Sequence, residues 1–590
     1  MDRPSTRSPS TRWVPTSQWP VFPMVPAPGR LPTTPRQVHR MVAEVSRTAW
    51  CLVALGCAPT LSDSKPTGSS APSNTTQSAP DAGDTTDATD TGTDPTTVAP
   101  DDADTVPCGL SVHVDQPYFL EGDTVSFTVM CTSGTVAQSA VTIAGAGGNA
   151  TLNADTGEVR WETDGRDGGR HDITVAASGG GVLESQLATV WVADNPSAAN
   201  ARDPIPGEYT EEWGLPVVHI STDTTPTEEE QAATITVRNE TVEGFYKIRG
   251  ASSTAYPKWS YTLDFESDEL GVAEWGDRSR EHMVLITTFD DNSYIRQKLG
   301  FDLWMAMAEH QGVQRLTPRT FFSVLYMNGE YQGLYTACDR VDDEFLRHMG
   351  TEGEGSLYKA VSHDANFYSY DAGGRPKSWL GIGYEKKEGD DDNWEDLYAL
   401  VAFTGNADDD TLWNDRPGME MEEFADWLIW AQFTLSQDSA GKNSYLYADP
   451  EAERWRLTPW DLNESWGQNW YTLRLPADTR NDYFWNNRIF LMLQQHPEGR
   501  ALVEARYAEL RENGPLQPGV IHGMIDAYQA TLGPSIARDW QRWGDAYENF
   551  GRWSADRSRA RDWTSPEEEL DYIRDWLDVR VAMYDTDGPI

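Results

Sequence analysis

Residues 437–467, QDSAGKNSYLYADPEAERWRLTPWDLNESWG, hold two strand-like runs, SYLYAD and RWRLTPWD, with acidic and amide side chains where the runs begin and end. Asp438 precedes Asn443 in the turn before the first run, and Asp461 closes the second. Upstream, apolar periodicity predicts a helix at about 421–436 with Phe424, Trp427, Leu428, Ala431 and Leu435 on one face. Asp438 therefore falls just past a helix end, where SAGK must turn the chain, and Asn443 leads into a strand. Loop residues held by rigid elements are suited to chemistry.

An Asp, an Asn five residues later, and a second Asp on a downstream strand end is the order in which protein-kinase catalytic loops place a base and two metal ligands. Phosphoryl transfer needs little covalent chemistry from a protein. It needs oxygen ligands for Mg²⁺, a group that orients the attacking hydroxyl, and a cation on the phosphates. In this reading Asp438 orients the hydroxyl, while Asn443 and Asp461 hold Mg²⁺, or Mn²⁺ in its place, through oxygen. The same letters also fit a helix-terminal Asp, a turn Asn and a strand-end Asp with separate surface positions. Asp461, between Trp460 and Leu462, favours the ion, because an uncompensated carboxylate in apolar surroundings is costly.

Working outward, residues 210–585 read as strands first (VVHIST, ATITVRN, GFYKIRG, YTLDFE, HMVLITTF) and mostly helices later. A helix is expected at about 292–309, and Asn328-Gly329 marks a tight hairpin. This order predicts an α+β domain with a sheet-rich and a helix-rich lobe, and ligand clefts favour lobe interfaces. In YKIRGASSTAYPKWSYTLDF, Gly250 and the small residues after it let backbone N–H groups approach phosphates, with Lys258 as the point charge. Arg249 and Arg296 are further candidate cations. Lys258 also reads as an exposed turn residue, and Arg249 and Arg296 each as a plain structural ion pair.

Residues 108–195 alternate apolar and polar residues in about seven short runs separated by turn signals, which predicts a β-sandwich. The stretch ATLNADTGEVRWETDGRDGGRHDITVAAS resembles immunoglobulin-like or cadherin-like modules of bacterial surfaces. Its acidic turns (Asp155, Asp164, Asp167) read as solvated turn residues or as Ca²⁺ ligands. Cys108 and Cys131 flank the module and are expected to pair if the protein is exported; Cys338 reads as a buried small hydrophobe. Residues 58–107, rich in Ser, Thr, Asp and Pro, cannot offset their own ordering entropy and read as a flexible tether. Within residues 1–57, TAWCLVALGC is too short to span a bilayer. From Met41 it resembles a lipoprotein signal ending at Cys57; an ordinary cleaved signal or a buried strand is the other reading. Both signal readings imply export.

The chain has 590 residues, with 93 acidic against 47 basic and a net charge of −46. Length suggests about three or four domains. So negative a surface repels nucleic acid and anionic lipid, which excludes both as partners apart from a lipid on Cys57.

IRGASSTAYPKWSYTLDF, SYIRQKLGFDL, LYMNGEYQGLYTACDRV, GSLYKA, KNSYLYADP and PWDLNESWG, in this order over residues 215–585, resemble the CotH kinase family. The resemblance implies an atypical protein-kinase fold that uses ATP and Mg²⁺. It makes Asp438 the catalytic Asp and Asn443 and Asp461 the metal pair, and it puts Lys258 on the first Lys of the family's Pro-Lys-Lys. Asn463 stands where the family usually has Asp, Asp339 where it often has Glu, and Trp259 in place of the second Lys. The function implied is transfer of the ATP γ-phosphate to Ser or Thr of an exported protein whose identity the sequence does not give. A catalytically inactive surface-binding protein and a metal-dependent phosphohydrolase are the competing classes.

Overall fold

The computed structural model describes residues 96–98, 108–133, 136, 140–179, 182–265, 270–276, 279–351, 353–551 and 565–589, all within one compact unit, Asp90–Ile590. Cys57 and all but three residues of the 58–107 tether lie outside the described residues.

The first part is strand-rich. A five-stranded sheet takes β1 (Thr96–Val98), β3 (Tyr118–Leu120), β5 (Ala140–Ala144), β8 (Gly169–Gly179) and β9 (Val182–Ala193). A four-stranded sheet takes β2 (Leu110–His113), β4 (Thr124–Cys131), β6 (Thr151–Leu152) and β7 (Glu158–Glu162). Alternate residues of both sheets share one core, with Val125, Phe127 and Trp161 from one and Ile173, Val175 and Val190 from the other. Cys108 and Cys131 form a disulfide. β1 lies inside the expected tether and pairs with β5; its Thr-Thr-Val is β-branched throughout, so a sheet edge can recruit it. The acidic turns fold themselves: Asp167 accepts the Asp164 N–H (2.7 Å), and Asp164 accepts from Arg166 N–H and Asn200 Nδ2 (both 3.0 Å).

After the two-residue β10 (Glu211–Glu212) come β11 (Leu215–Ser221), β12 (Gln231–Val237), β13 (Glu240–Arg249), β14 (Ser260–Asp264), β15 (His282–Thr287), β16 (Thr320–Met327) and β17 (Glu330–Cys338). They form one antiparallel sheet in the order β10-β11-β12-β13-β14-β15-β17-β16. A parallel pairing of Val217–Ile220 with Val324–Met327 closes it into a barrel. Closure removes both edges. One apolar cluster draws on all seven barrel strands (Val218, Ile235, Tyr246, Leu263, Leu285, Leu325 and Tyr335 among others), which only the interior can do. The alternate residues Val217, Val284, Ile286, Phe322, Val324 and Leu334 face outward into a second, larger core made with the helices. Strand closure goes beyond the expected sheet-rich lobe. It depends on pairing over about 100 residues, which no local pattern encodes. The β16–β17 hairpin turns at Asn328 (φ 50°) and Gly329 (φ 81°), as the Asn-Gly pair predicts.

The helices are α1 (Arg296–Gln311), α2 (Asp343–His348), α3 (Glu395–Asn406), α4 (Asp409–Asp415), α5 (Met421–Thr434), α6 (Arg488–Gln495), α7 (Pro497–Glu512), α8 (Pro518–Leu532), α9 (Ser535–Asn549) and α10 (Pro566–Asp587). A second sheet, in the order β19-β18-β20-β21, joins β18 (Ser356–Ala360), β19 (Tyr384–Glu388), β20 (Ser444–Asp449) and β21 (Arg454–Pro459). α5 is buried on every side rather than amphipathic. Its two buried acids, Glu423 and Asp426, are compensated by Arg315 (3.2 and 3.1 Å), and Arg506 adds two more bonds to Asp426 (2.6 and 2.8 Å). A buried helix can carry such acids because the partners arrive from elsewhere in the chain. No helix among the described residues is long and apolar enough to cross a membrane.

Candidate active site

The site lies at the end of the second sheet that faces the barrel. Asn443 precedes β20; its N–H donates to Ala360 O at the end of β18 (3.2 Å), and its carbonyl accepts from Trp460 N–H just past β21 (3.1 Å). Three strand ends thus meet at one residue. Asn443 (φ 54°) and Asp461 (φ 58°) both adopt left-handed backbone, which Asn and Asp tolerate better than other side chains.

The loop that carries Asp438 is fixed from below. Leu435 (φ 55°) ends α5. Trp427 Nε1 donates to Ser439 O (2.8 Å), Asn481 Nδ2 to Ser436 O and Gln437 O (both 3.0 Å), and Asn487 Nδ2 to Ala440 O (2.9 Å). The Asp461 loop is fixed from α1: Gln297 Oε1 accepts Leu462 N–H (2.8 Å), and Arg296 Nε donates to Ser465 O (3.1 Å). Gly300 lets this loop approach α1, because a Cβ there would sit 2.7 Å from Leu462 Cδ1.

Asp438, Asn443 and Asp461 line one cavity of about 610 Å³ together with Ser252, His363, Lys442, Asn463 and Glu464. An adjoining cavity of about 500 Å³ shares Asn443, Asp461, Lys442 and Asn463 and runs along the barrel past Arg249, Gly250–Ser253, Asp290 and Lys359. Asn443 Nδ2 donates to Asp438 Oδ2 (3.4 Å) and to the carbonyl of Asp461 (3.3 Å). Asp438 also meets Lys442 Nζ (2.6 Å) and His363 Nε2 (3.2 Å). The His363 ring stacks on Tyr483, with centroids 4.2 Å apart. Burial opposes charge on Asp438, yet His363 and Lys442 together hold its carboxyl below the usual range.

Asp461 differs. No donor among the described residues reaches its carboxylate, although Lys359, Arg249 and Lys442 are its electrostatic neighbours. Asp461 is exposed where it opens onto the cavity, so Trp460 and Leu462 do not enclose it as the sequence suggested, although protein is packed densely around the site. The surrounding protein, by thinning the water around it, pushes its pKa up against the pull of Lys359 and Arg249. Burial also raises Asp290 to about 6 and Glu464 to about 8, with Asp461 repelling both and Asp438 repelling Glu464. Four carboxyl groups in one cleft, two of them held near neutrality, form an all-oxygen donor set for a hard divalent cation.

Of the candidate cations, Arg249 lines the cleft, with its guanidinium 5.2 Å from the Trp460 ring. Lys258 does not. The small-residue loop Gly250–Ser253 does reach the cleft, but the chain then turns Lys258 inward. There it is 1 % exposed, and its Nζ bonds Leu334 O (2.6 Å), Asp539 Oδ1 (2.7 Å) and Thr288 Oγ1 (3.3 Å). Arg296 is buried as well, between Asp291 (2.6 Å) and Glu569 of α10 (2.5 Å). The expectation that both face the nucleotide is corrected on geometry: each is saturated by buried carboxylates. Lys359 stands at the cleft instead; burial and Arg249 lower its pKa. The sequence signal was a Lys inside the apolar strand SLYKA, since Lys is seldom found there without a task. Asn463, at the position of the family's Asp, donates to Asp290 Oδ2 (2.6 Å), beside Tyr256 OH (2.9 Å). Asp339 pairs with Arg280 (2.8 Å), and Trp259 packs at the margin of the barrel core.

A family model described as CotH kinase protein matches residues 246–584, more than half of the chain. The chain is 26 % identical over 234 residues to the Inner spore coat protein H of Bacillus subtilis (strain 168). The match covers 39 % of this chain and 60 % of that relative, so the chain spans about three fifths of its length. On the extent of the family match, the chain belongs to the CotH kinase protein family.

Proposed function

We propose that the chain transfers the γ-phosphate of ATP to Ser or Thr hydroxyls of an exported protein. The observation that carries this reading is the donor-free Asp461 carboxylate beside Asp438 and Asn443 in one cavity. The donor set fits Mg²⁺ or Mn²⁺: carboxylates, plus the amide oxygen of Asn443, which no described donor occupies while Nδ2 is committed to Asp438 and the Asp461 carbonyl. Bound MgATP supplies the transferable phosphoryl group and the charge that the cleft is built to balance.

The chain's own residues then have distinct tasks. Asp461 and Asn443 hold the cation. Asp438, kept ionised by His363 and Lys442, orients the acceptor hydroxyl and takes its proton. Arg249 and the backbone N–H groups of Gly250–Ser253 face the phosphates from the barrel side, and Lys359, on β18, from the second sheet. Lys258 and Arg296 position the walls without touching the nucleotide.

Export is supported by the Cys108–Cys131 disulfide, since disulfides persist in oxidising compartments. It is consistent with the coat location in the relative's name. We read the two-sheet module as an immunoglobulin-like spacer and Cys57 as its lipid anchor, with a protein rather than a nucleic acid as acceptor.

The test is ³²P transfer from γ-labelled ATP to dephosphorylated casein and to the chain itself, with and without Mg²⁺. Label should require Mg²⁺ and fall at least ~100-fold in Asp461→Asn and Asp438→Asn. Labelled phosphate released without labelled protein would make it a hydrolase. ATP binding that ignores both substitutions and Mg²⁺ would leave a scaffold.

A further inference from the structure

A second group of ligand-type side chains lies at the join of β14, β15 and α2. Ligand atoms of Glu281, His282 and Glu344 fall within 4.8 Å of one another. His282 Nδ1 is 3.6 Å from Glu344 Oε2 and 3.3 Å from Asp342 Oδ2. Asp342 is the N-cap of α2: its Oδ1 accepts Phe345 N–H (3.0 Å). Its Oδ2 is buried with no hydrogen-bond partner, and so is His282 Nδ1. The Asp342 residue is 4 % exposed. These two buried atoms lie 3.3 Å apart without a hydrogen bond between them, so they are joined either as an ion pair with a protonated imidazole or through a shared cation.

The spacing fits an ion. A tetrahedral centre with bonds of about 2.0–2.2 Å holds its ligand atoms roughly 3.3–3.6 Å apart. The other imidazole nitrogen, Nε2, faces Asp264 Oδ2 at 3.5 Å, the carboxylate–histidine pairing that orients metal-bound imidazoles. The remaining contacts are Glu281 N–H to Glu344 Oε1 (2.9 Å), His348 Nδ1 to the same oxygen (3.8 Å) and Arg340 Nε to Asp342 Oδ2 (3.5 Å). Four carboxylates surround His282, and the neighbouring cations are Arg340, His348 and Arg347, the last in the field of Glu281 and Glu344. Imidazole nitrogen beside carboxylate oxygen, without thiolate, suits a borderline divalent ion better than Mg²⁺ or Ca²⁺.

We propose that Glu281, His282 and Glu344, with Asp342 Oδ2 facing His282 Nδ1, bind one divalent transition-metal ion of the Zn²⁺ class, which clips α2 to the rim of the barrel. The experiment uses the full-length chain carrying Asp461→Asn, stripped with chelator, and measures Zn²⁺ per chain and its affinity. One Zn²⁺ is expected, weakened at least ~10-fold by His282→Gln and separately by Glu344→Gln. Co²⁺ loaded in its place should give visible d–d absorption that both substitutions abolish. Near-ultraviolet circular dichroism checks that each variant is folded, and Glu344→Gln serves if His282→Gln is not. No Zn²⁺ bound at micromolar free metal, or stoichiometry unchanged in both variants, overturns the proposal and leaves an ion pair around a protonated imidazole.

Discussion

The cleft has two walls. The wall from the second sheet carries Asp438, Asn443 and Asp461 within about 24 residues of chain; the barrel wall carries Arg249, Gly250–Ser253 and Asp290 on separate strands and loops. The first wall is readable in sequence because its spacing is local: a helix end, a turn and two adjacent strands. The second is readable only in part: Arg249 and the Gly250–Ser253 loop show in the sequence, but which lysine faces the cleft depends on partners far away. Lys258 meets Asp539, 281 positions along the chain, and that single carboxylate from α9 turns it into a structural residue.

The strongest way to break this contrast is to exchange the two lysines' fates. Lys258→Met leaves Asp539 buried without its cation while that oxygen still accepts Leu334 N–H (2.6 Å). Removing one member of a buried pair costs about 3–5 kcal/mol, so urea unfolding should show a large loss of stability. Adding Asp539→Leu should return part of it. Lys359→Met should instead unfold like the wild type within about 1 kcal/mol and raise the KM for ATP roughly 10-fold or more through a lost charge-assisted contact. If Lys258→Met were stable and lost only nucleotide affinity, the roles assigned to the two lysines would be reversed.

The same distinction explains what the sequence conveyed about the fold. All seven barrel strands and the Asn328-Gly329 turn are visible as runs and a turn signal, since side-chain alternation is local. Closure is not visible, because it rests on the parallel pairing of Val217–Ile220 with Val324–Met327. Likewise α5 shows an apolar face in sequence, and the structure buries Glu423 and Asp426 as well, since Arg315 and Arg506 reach them from outside the helix. Charge compensation across long sequence distances is the recurrent hidden variable. It concealed the role of Lys258, Arg296 and α5 alike.

A smaller effect separates the walls by pH. Burial, reinforced by Asp438 and Asp461, raises Glu464 to about 8, against a usual value near 4.5. Between these values the folded chain holds a proton that the unfolded chain releases. The stability from Glu464 is therefore fully present below about pH 4.5 and lost as pH rises through 8. Asp290 and Asp342, raised to about 6, and Asp194, raised to about 7, act with the same sign at lower pH. In chelator, the unfolding midpoint should decline from pH 5 to 9, and Glu464→Gln should flatten chiefly the portion above pH 7. An unchanged slope in that variant would mean the sheet wall carries no retained proton.

The finest test asks whether Asn443 matters for its backbone or its amide. At φ 54° an alanine pays for left-handed geometry, roughly 1–2 kcal/mol, and a glycine does not. Asn443→Ala should thus be less stable than Asn443→Gly by about that amount. Both remove the amide that bridges Asp438 to the Asp461 loop and offers an oxygen to the cation, so both should lose phosphotransfer to the same depth. Asn443→Asp keeps a side chain tolerant of that φ and an oxygen donor, but trades the bridging Nδ2 for a charge beside Asp438. It should fold nearly as well as the wild type and need higher Mg²⁺ to reach its own maximal rate. Should Asn443→Gly retain full transfer, the residue serves only to turn the chain, and Asp461 and Asp438 would have to hold the cation without it.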